Sequence, residues 1–200
     1  MKKMQYLCNQ ISQIFPLIMD YKSTAIAGVY IIEPRVFSDA RGYFMEAWKH
    51  EEFCSHVRSV TFIQDNESKS SRGVLRGLHY QKGAFSQAKL VRVVSGRVVD
   101  VAVDLRRSSS TFGQHVMVEL SGDNHRQLFI PRGFAHGFLV LSEEAVFTYK
   151  VDNVYAPQSE ASIRWDDPEL AIAWPTVGID VLTSDKDLQA PWLRDAWCFD

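Results

Sequence analysis

The chain has 200 residues, of which 46% are hydrophobic and 23% are charged, which suits a single folded domain with its own core. The formal net charge of -2 shows no basic excess, so composition argues against nucleic acid as a partner. No apolar run approaches the length of a membrane span, and three widely separated cysteines, Cys8, Cys54 and Cys198, form no metal or disulfide pattern. We therefore expect a cytoplasmic protein with neither a disulfide framework nor a membrane anchor.

Residues 1–24 stand apart because well-patterned sequence begins only near Ala25. We treat them as an N-terminal extension of unknown order, and Met19 is an alternative start. Residues 25–200 are predicted to form one domain, since no linker, repeat or low-complexity segment divides them. That domain is expected to end in a helical tail from Asp185 onward.

The first third of the domain predicts short strands and one helix. Strands are expected over residues 28–34, 43–48 and 60–66. A turn is expected over residues 37–42 and a loop over residues 67–72, because Asp, Gly, Ser and Lys are frequent there. The i,i+4 spacing of Phe53 and Val57 predicts a short helix within residues 46–57.

Alternation of apolar and polar residues is clearest between residues 90 and 151. In residues 99–105, four apolar side chains share one face, and the positions between them, including Asp100 and Asp104, share the other. Turn signals such as Ser95-Gly96 and Pro131-Arg132-Gly133 separate the strands. Many short strands at regular spacing predict an all-β sandwich or barrel with short flanking helices.

The stretch Ser71–Gln81 carries more polar groups than a core strand and more apolar ones than a surface loop. We interpret it as a strand whose polar side chains face an enclosed pocket. An isolated His79 is more often a core histidine than a ligand-binding one, but Arg76 and Lys89 nearby are cations that need an anionic partner. In a regular strand Arg76 and His79 point to opposite faces, so both reach one pocket only if the strand twists or bulges, and Gly77 is the place for it.

Other catalytic patterns have little support in the sequence. Tyr149 lies on an apolar face with Phe147 and Val151, which by itself favours a core aromatic over a proton donor. His79 has no His-x-His partner and no closely following Glu, so no metal is predicted. The chain also shows no nucleophile elbow and no phosphate-binding glycine loop, and no cofactor is expected.

Several runs, taken in order from about Ala25 to Asp187, match a known family. They are Glu33-Pro34-x-Val36-Phe37-x-Asp39-x-Arg41-Gly42-x-Phe44, Phe62-x-Gln64-Asp65-Asn66, Leu75-Arg76-Gly77-Leu78-His79-Tyr80-Gln81, Lys89-Leu90-Val91-Arg92, Asp100-Val101-Ala102-Val103-Asp104, Thr111-Phe112-Gly113, Ile130-Pro131-x-Gly133-Phe134-Ala135-His136-Gly137-Phe138, Tyr149-Lys150, Ile163-x-Trp165-x-Asp167 and Trp174-Pro175. On these runs the chain resembles the dTDP-4-dehydrorhamnose 3,5-epimerase family, metal-free sugar-nucleotide epimerases with a cupin jelly-roll fold.

The resemblance assigns roles to particular residues. It implies that His79 is the general base, Asp187 its orienting carboxylate, Lys89 the cation beside the substrate's keto oxygen and Tyr149 the acid on the opposite face. It also implies a substrate-binding set, which comprises Arg41, Phe44, Glu46, Gln64, Asn66, Arg76, His136, Tyr155, Glu160 and Lys186.

The reaction implied is conversion of dTDP-4-dehydro-6-deoxy-D-glucose to dTDP-4-dehydro-L-rhamnose, in dTDP-L-rhamnose biosynthesis, without a cofactor. The family forms homodimers in which an N-terminal strand pairs with the partner, so Arg41, Phe44 and Glu46 serve either their own site or the partner's. Alternatives are a single 3- or 5-epimerase of another deoxysugar pathway, a non-catalytic sugar-nucleotide-binding cupin and a metal-dependent cupin. The long N-terminal extension and the tail from Ala190 depart from the family pattern.

Overall fold

A computed structural model describes residues 19–200, which form short strands and two short α-helices. The strands are β1 (Asp20–Ser23), β2 (Tyr30–Glu33), β3 (Val36–Asp39), β4 (Gly42–Met45), β5 (Gln64–Ser71), β6 (Leu75–Gln81), β7 (Lys89–Ser95), β8 (Arg97–Asp104), β9 (His115–Ser121), β10 (Gln127–Ile130), β11 (Phe134–Val140), β12 (Glu144–Val151) and β13 (Glu160–Ser162). The helices are α1 (His50–His56) and α2 (Asp185–Leu188). Single 3₁₀ turns occur at Gly83–Phe85, Pro157–Ser159 and Leu193–Asp195.

Two antiparallel sheets make up the body of the molecule. One has six strands in the order β1-β2-β10-β7-β12-β5, and the other has five in the order β13-β6-β11-β8-β9. Strands β3 and β4 form a separate hairpin. The predicted all-β jelly-roll barrel with short flanking helices is confirmed.

The main core fills the space between the two sheets. Val91, Val93 and Phe147 project into it from the six-stranded sheet, and Ala102 and Phe138 from the five-stranded sheet. Because side chains alternate along a strand, the polar residues at equivalent positions nearer the strand ends also point between the sheets. The interior is therefore apolar in its middle and polar toward the end where β6 stops and β7 begins.

A second apolar layer covers the outer face of the five-stranded sheet. Val99, Val101, Val103 and Leu105 are buried there, against the chain that follows β13 and against tail residues such as Leu193. The tail is fixed by backbone bonds from Phe199 N–H to Leu105 O at 2.9 Å and from Arg107 N–H to Phe199 O at 2.7 Å. Both faces of β8 are thus buried, which explains its nearly continuous apolar sequence.

Two expectations for the first third of the chain are wrong. Residues 67–72 were expected to form a loop, but β5 runs from Gln64 to Ser71, because each of its residues is paired with β12. The expected strand over residues 60–66 is present only from Gln64, while Val60 is buried beside Phe53 of α1. Pairing with β12 has outweighed the low strand preference of the polar residues in β5.

The remaining local expectations differ mainly in their bounds. The helix within residues 46–57 is confirmed as α1, and the turn over residues 37–42 is a tight hairpin between β3 and β4. Strand β1 lies within the stretch 1–24 that the sequence set apart, and it pairs with β2 at the edge of the six-stranded sheet. Residues 1–18, including Cys8, lie outside the described residues. Cys54 and Cys198 are free thiols, and no helix between Met19 and Asp200 is long and apolar enough to cross a membrane.

Candidate active site

His79, which is partly exposed, pairs with the buried carboxylate of Asp187 at the polar end of the barrel. His79 Nε2 lies 2.5 Å from Asp187 Oδ1, and Asp187 is only 3% exposed. Asp187 occupies the first turn of α2, where its backbone N–H donates to the N-cap hydroxyl of Ser184 at 3.2 Å. The short helix therefore fixes the position of the carboxylate against the histidine.

The ionisation of Asp187 decides which nitrogen of His79 carries the proton. Burial raises the pKa of Asp187, but hydrogen bonds from His79, Ser184 and the Gly77 N–H outweigh it and hold that pKa below its usual value. An ionised carboxylate only accepts hydrogen bonds, so Nε2 of His79 is the protonated nitrogen. Whenever the ring is neutral, its Nδ1 is the nitrogen that can take a proton from a bound molecule.

The bulge expected at Gly77 is present. In the pairing of β6 with β11, His79 lies opposite His136 and Arg76 lies opposite Phe138, with a shift of register between them. Gly77 has φ +138°, and a Cβ there would lie 2.5 Å from Gly137 Cα. Only glycine fits this close approach of two backbones.

Lys89, at the start of β7, contributes a cation to the same end of the barrel. Burial lowers the pKa of Lys89 to about 8, and the negative charges of Asp100 and Glu160 oppose this effect. At neutral pH the side chain is therefore still an ammonium ion, poorly solvated and attracted to any negative charge that develops nearby.

His136 and Asp100 form a second buried pair beside the first. His136 Nε2 lies 2.8 Å from Asp100 Oδ2, and Asp100 has no exposed surface. Burial lowers the pKa of His136, although the charge of Asp100 and the hydrogen bond to it act in the opposite direction. The charges of Lys89 and His79 lower that pKa further, so these four side chains interact electrostatically.

Tyr149 faces the interior from β12, on the opposite sheet to His79. Its ring lies 6.3 Å from that of Phe147, which stacks in turn on His136 with ring centroids 6.0 Å apart. Burial raises the pKa of Tyr149, and the charge of Arg76 opposes this. The phenol is therefore protonated at neutral pH and can donate a proton into the barrel.

Polar residues of β5, which is paired with the strand of Tyr149, and of β6, on the facing sheet, lie near Tyr149. Asn66 lies opposite Tyr149 in the pairing of β5 with β12, and its Oδ1 accepts a hydrogen bond from Gln64 Nε2 at 2.8 Å. Arg76 Nε donates to Ser70 Oγ at 3.1 Å. These side chains offer an amide pair and a guanidinium group to a bound molecule.

Glu160 connects two further candidates at the rim. Its Oε2 accepts from Lys186 Nζ at 2.6 Å and from the Tyr155 hydroxyl at 3.0 Å. The hydrogen bond from Lys186 is the main cause that holds the pKa of Glu160 below its usual value, and the charge of His79 acts in the same direction. The ring of Tyr155 is 56% exposed and is open to stacking by a planar ligand.

Arg41, Phe44 and Glu46 are not brought to this group within one chain. Arg41 is exposed and pairs with Asp39 of its own hairpin. Phe44 is 40% exposed and lines a depression with Arg92, an outward-facing residue of β7. Glu46 has a buried Oε1 without a hydrogen-bond partner in residues 19–200, and burial raises its pKa.

One cavity beside the six-stranded sheet faces mainly outward, away from most of these catalytic candidates. It has a volume of about 440 Å³ on the outer face of the six-stranded sheet. Its lining includes Glu67, Arg92 and Lys150, which alternate with the interior positions of their strands. Trp48, Asn66 and Tyr149 also line it. We therefore place the site by the converging side chains inside the barrel and not by the size of this cavity.

Asp100 is a buried charged residue that was assigned no role from the sequence. It was part of a matched run, and a charged residue within the apolar strand β8 was an available signal. No three His, Cys, Asp or Glu side chains between Met19 and Asp200 are grouped so as to hold a metal ion.

The antiparallel jelly-roll barrel is of the cupin type, and its interior histidine, lysine, tyrosine and aspartate are groups suited to acid–base chemistry. A sequence model of the dTDP-4-dehydrorhamnose 3,5-epimerase family matches residues 23–195. The chain belongs to the dTDP-4-dehydrorhamnose 3,5-epimerase family, and it is therefore an epimerase.

Individual members of the family are similar in sequence to this chain over most of their length. The chain is 53% identical to dTDP-4-dehydrorhamnose 3,5-epimerase of Salmonella typhimurium over 174 residues, which are 86% of this chain and 94% of that protein. The enzyme of the same name from Pseudomonas aeruginosa is 54% identical over 178 residues, with 88% and 96% covered. The crystal structure of Legionella pneumophila dTDP-6-deoxy-D-glucose-3,5-epimerase, in complex with dTDP-4-keto-L-rhamnose, superposes with a TM-score of 0.85 at 48% identity, covering 89% of this chain and 94% of that one. The predicted family and its cupin fold are confirmed.

Proposed function

We propose that this epimerase of dTDP-rhamnose biosynthesis converts dTDP-4-dehydro-6-deoxy-D-glucose to dTDP-4-dehydro-L-rhamnose with the interior side chains described above. The His79–Asp187 pair, at 2.5 Å, is the observation that carries the proposal. It supplies a neutral imidazole with a free nitrogen, held by a buried carboxylate that stabilises the imidazolium form.

The first step is removal of the proton from a carbon next to the ketone. His79 Nδ1 takes this proton, the C–H electron pair becomes the carbon–carbon double bond of an enolate, and the ketone's π electrons move to its oxygen. Lys89 lies against this oxygen as an ammonium ion. A preorganised cation at a developing oxyanion lowers such a barrier by about 3–4 kcal/mol.

The second step returns a proton to the opposite face of the same carbon. Tyr149 donates its phenolic proton, and the enolate collapses to the ketone with inverted configuration. The phenolate is then reprotonated from solvent, and His79 releases its proton to solvent. Carbons 3 and 5 both flank the C4 ketone, so one base and one acid can act at each in turn. Every proton movement is assigned to a side chain, so the scheme requires no cofactor.

The remaining interior and rim residues are proposed to hold the nucleotide sugar. Arg76 forms an ion pair with the diphosphate, and Gln64 and Asn66 form hydrogen bonds beside it. Tyr155 stacks on a planar group of the nucleotide, with Glu160 and Lys186 at its edge. His136 contacts the sugar from the strand opposite His79.

We further propose a homodimer in which the β3–β4 hairpin of one chain completes the site of the other. Arg41 and Phe44 are exposed on that hairpin and lie apart from their own interior group. If Arg41 serves the partner, mixing His79→Ala with Arg41→Ala protein restores activity to roughly a quarter of all sites, by random exchange in a two-fold dimer. If it serves its own chain, mixing restores nothing.

Deuterium incorporation from heavy water tests the reaction. The expected result is label at both carbon 3 and carbon 5 of the product. Label at only one carbon contradicts the double epimerisation and identifies a single epimerase. Binding of the keto-sugar nucleotide with no label identifies a non-catalytic binding protein. The cytoplasmic location stays a prediction.

A further inference from the structure

Asp100 is a buried carboxylate that the proposed reaction does not use. It lies on β8 with no exposed surface, and one of its oxygens, Oδ2, is 2.8 Å from His136 Nε2. The other oxygen, Oδ1, has no hydrogen-bond partner in the part of the chain that the structure describes. A buried charge is costly unless another charge compensates for it, so Asp100 requires an explanation.

His136 does not provide the compensating charge. It is itself buried, and its pKa is below the usual value for histidine, so the ring is neutral at physiological pH. Lys89 is the interior cation whose charge interacts with that of Asp100. The two side chains form no direct ion pair in residues 19–200, which leaves the ammonium hydrogens of Lys89 available to a ligand.

We propose that Asp100 is a positioning residue: its carboxylate keeps Lys89 in the ammonium form and fixes His136 as the Nε2–H tautomer, so that His136 Nδ1 accepts a hydrogen bond from a hydroxyl of the sugar. This inference rests on the proposed function, since it concerns the same pocket. It adds a residue and an assignment of proton positions to the scheme above.

The tautomer follows from the hydrogen bond. An ionised carboxylate is an acceptor only, so the nitrogen of His136 that faces Asp100 carries the hydrogen. In a neutral ring the other nitrogen, Nδ1, is then an acceptor. The ring is held by stacking on Phe147, with an angle of 28° between the planes, and lies opposite His79 in the strand pairing. A sugar bound at His79 therefore lies next to this acceptor.

The effect on Lys89 has a definite sign. The charges that act on Lys89 are those of Asp100 on β8 and Glu160 on β13, and the charge of Lys89 acts in turn on His136 of β11. Replacing Asp100 by a neutral isostere removes one of the two negative charges that raise the pKa of Lys89. The ammonium form is then lost at a lower pH, and with it the stabilisation of the enolate.

The test compares Asp100→Asn with Asp104→Asn. Asp104 is a buried carboxylate on the same strand and face, but it is bound to Arg106, Ser109 and Thr111 and has no part in the charge of Lys89. Lysine labelled with ¹³C at Cε reports the titration of Lys89 by NMR, with Lys89→Arg protein to assign the signal. Asp100→Asn is expected to lower the midpoint by about one pH unit and to move the alkaline limb of kcat equally. Asp104→Asn is expected to move neither.

Wild-type protein supplies a second measurement that needs no variant to fold. Side-chain ¹⁵N NMR at pH 7 is expected to show His136 as the neutral Nε2–H tautomer. An imidazolium or an Nδ1–H tautomer overturns the proposal, as does an unchanged Lys89 titration in Asp100→Asn. Both NMR readouts are made without substrate, so they decide the role of Asp100 even if wild-type protein incorporates no deuterium and the proposed function fails.

Discussion

The substitution Asp187→Asn tests the structure most directly, because it changes one carboxylate to an amide of nearly the same shape. The carboxylate is 3% exposed and lies 2.5 Å from His79 Nε2. The amide keeps the volume and the N-cap contact with Ser184 through the backbone. The substitution removes the negative charge, and it replaces a group that only accepts hydrogen bonds by one that can also donate.

The size of the effect follows from these two losses. A hydrogen bond to a charged group contributes about 1.5–3 kcal/mol. Asp187 gives this stabilisation to the imidazolium form of His79 that develops as the proton is taken up, so losing it costs roughly 10- to 150-fold in rate. An amide can also donate to Nε2, which places the ring proton on Nδ1 and blocks the base in part of the population, at a further cost of about tenfold. We expect kcat to fall about 10²- to 10³-fold, with KM nearly unchanged.

The assay is deuterium incorporation at carbons 3 and 5 of the keto-sugar nucleotide, with calorimetric binding of dTDP to show that the pocket is intact. Asp185→Asn is the matched control, since it alters the same type of residue on the same helix without touching His79. It is expected to keep nearly full activity. A kcat within tenfold of wild type for Asp187→Asn, with binding preserved, would refute the role given to this pair.

Three further outcomes are expected. Tyr149→Phe keeps the ring and removes the proton donor, so the rate of inversion should fall by about 10²- to 10⁴-fold while deuterium still enters at an α-carbon. NMR measures both rates, and an equal loss of inversion and of deuterium incorporation contradicts the assignment of Tyr149 as the acid. Because the pKa of Lys89 is about 8 and activity needs the ammonium form, kcat should decline as pH rises through that value, and a rate that stays constant to pH 10 argues against an ammonium ion at the oxyanion. Gly77→Ala places a Cβ 2.5 Å from Gly137 Cα at a residue with φ +138°. Urea unfolding should therefore show that the free energy of unfolding falls by about 2–4 kcal/mol. A fall below about 0.5 kcal/mol would mean that the bulge relaxes to accept the methyl group.

Local sequence pattern predicted the strands whose side chains alternate and failed where they do not. Strand β8 was read correctly because four apolar residues share one face over residues 99–105. The loop expected over residues 67–72 was wrong for residues 67–71 of β5, all of which are Glu, Ser or Lys, on an edge strand with little burial. Its conformation is imposed by pairing with β12, which no local window contains.

The site shows the same division. An irregularity at Gly77 was predictable, since Arg76 and His79 could serve one pocket only through a twist or a bulge there, and the structure shows the bulge. Asp100 received no role, because its significance depends on the contact with His136, which lies 36 residues away in the chain. The positions of Arg41 and Phe44 away from the interior could not be read from their motif either, because the path of the hairpin depends on packing.

By itself, the sequence determined the family, the all-β class and the kinds of groups available, because these depend on residue types and on spacing along the chain. The tertiary structure alone decided which groups meet: the aspartate of α2 with the histidine of β6, the aspartate of β8 with the histidine of β11, and the hairpin apart from both. The physical reason is that ionisation and hydrogen bonding act over a few ångströms, while the residues concerned are separated by up to 108 positions in the chain.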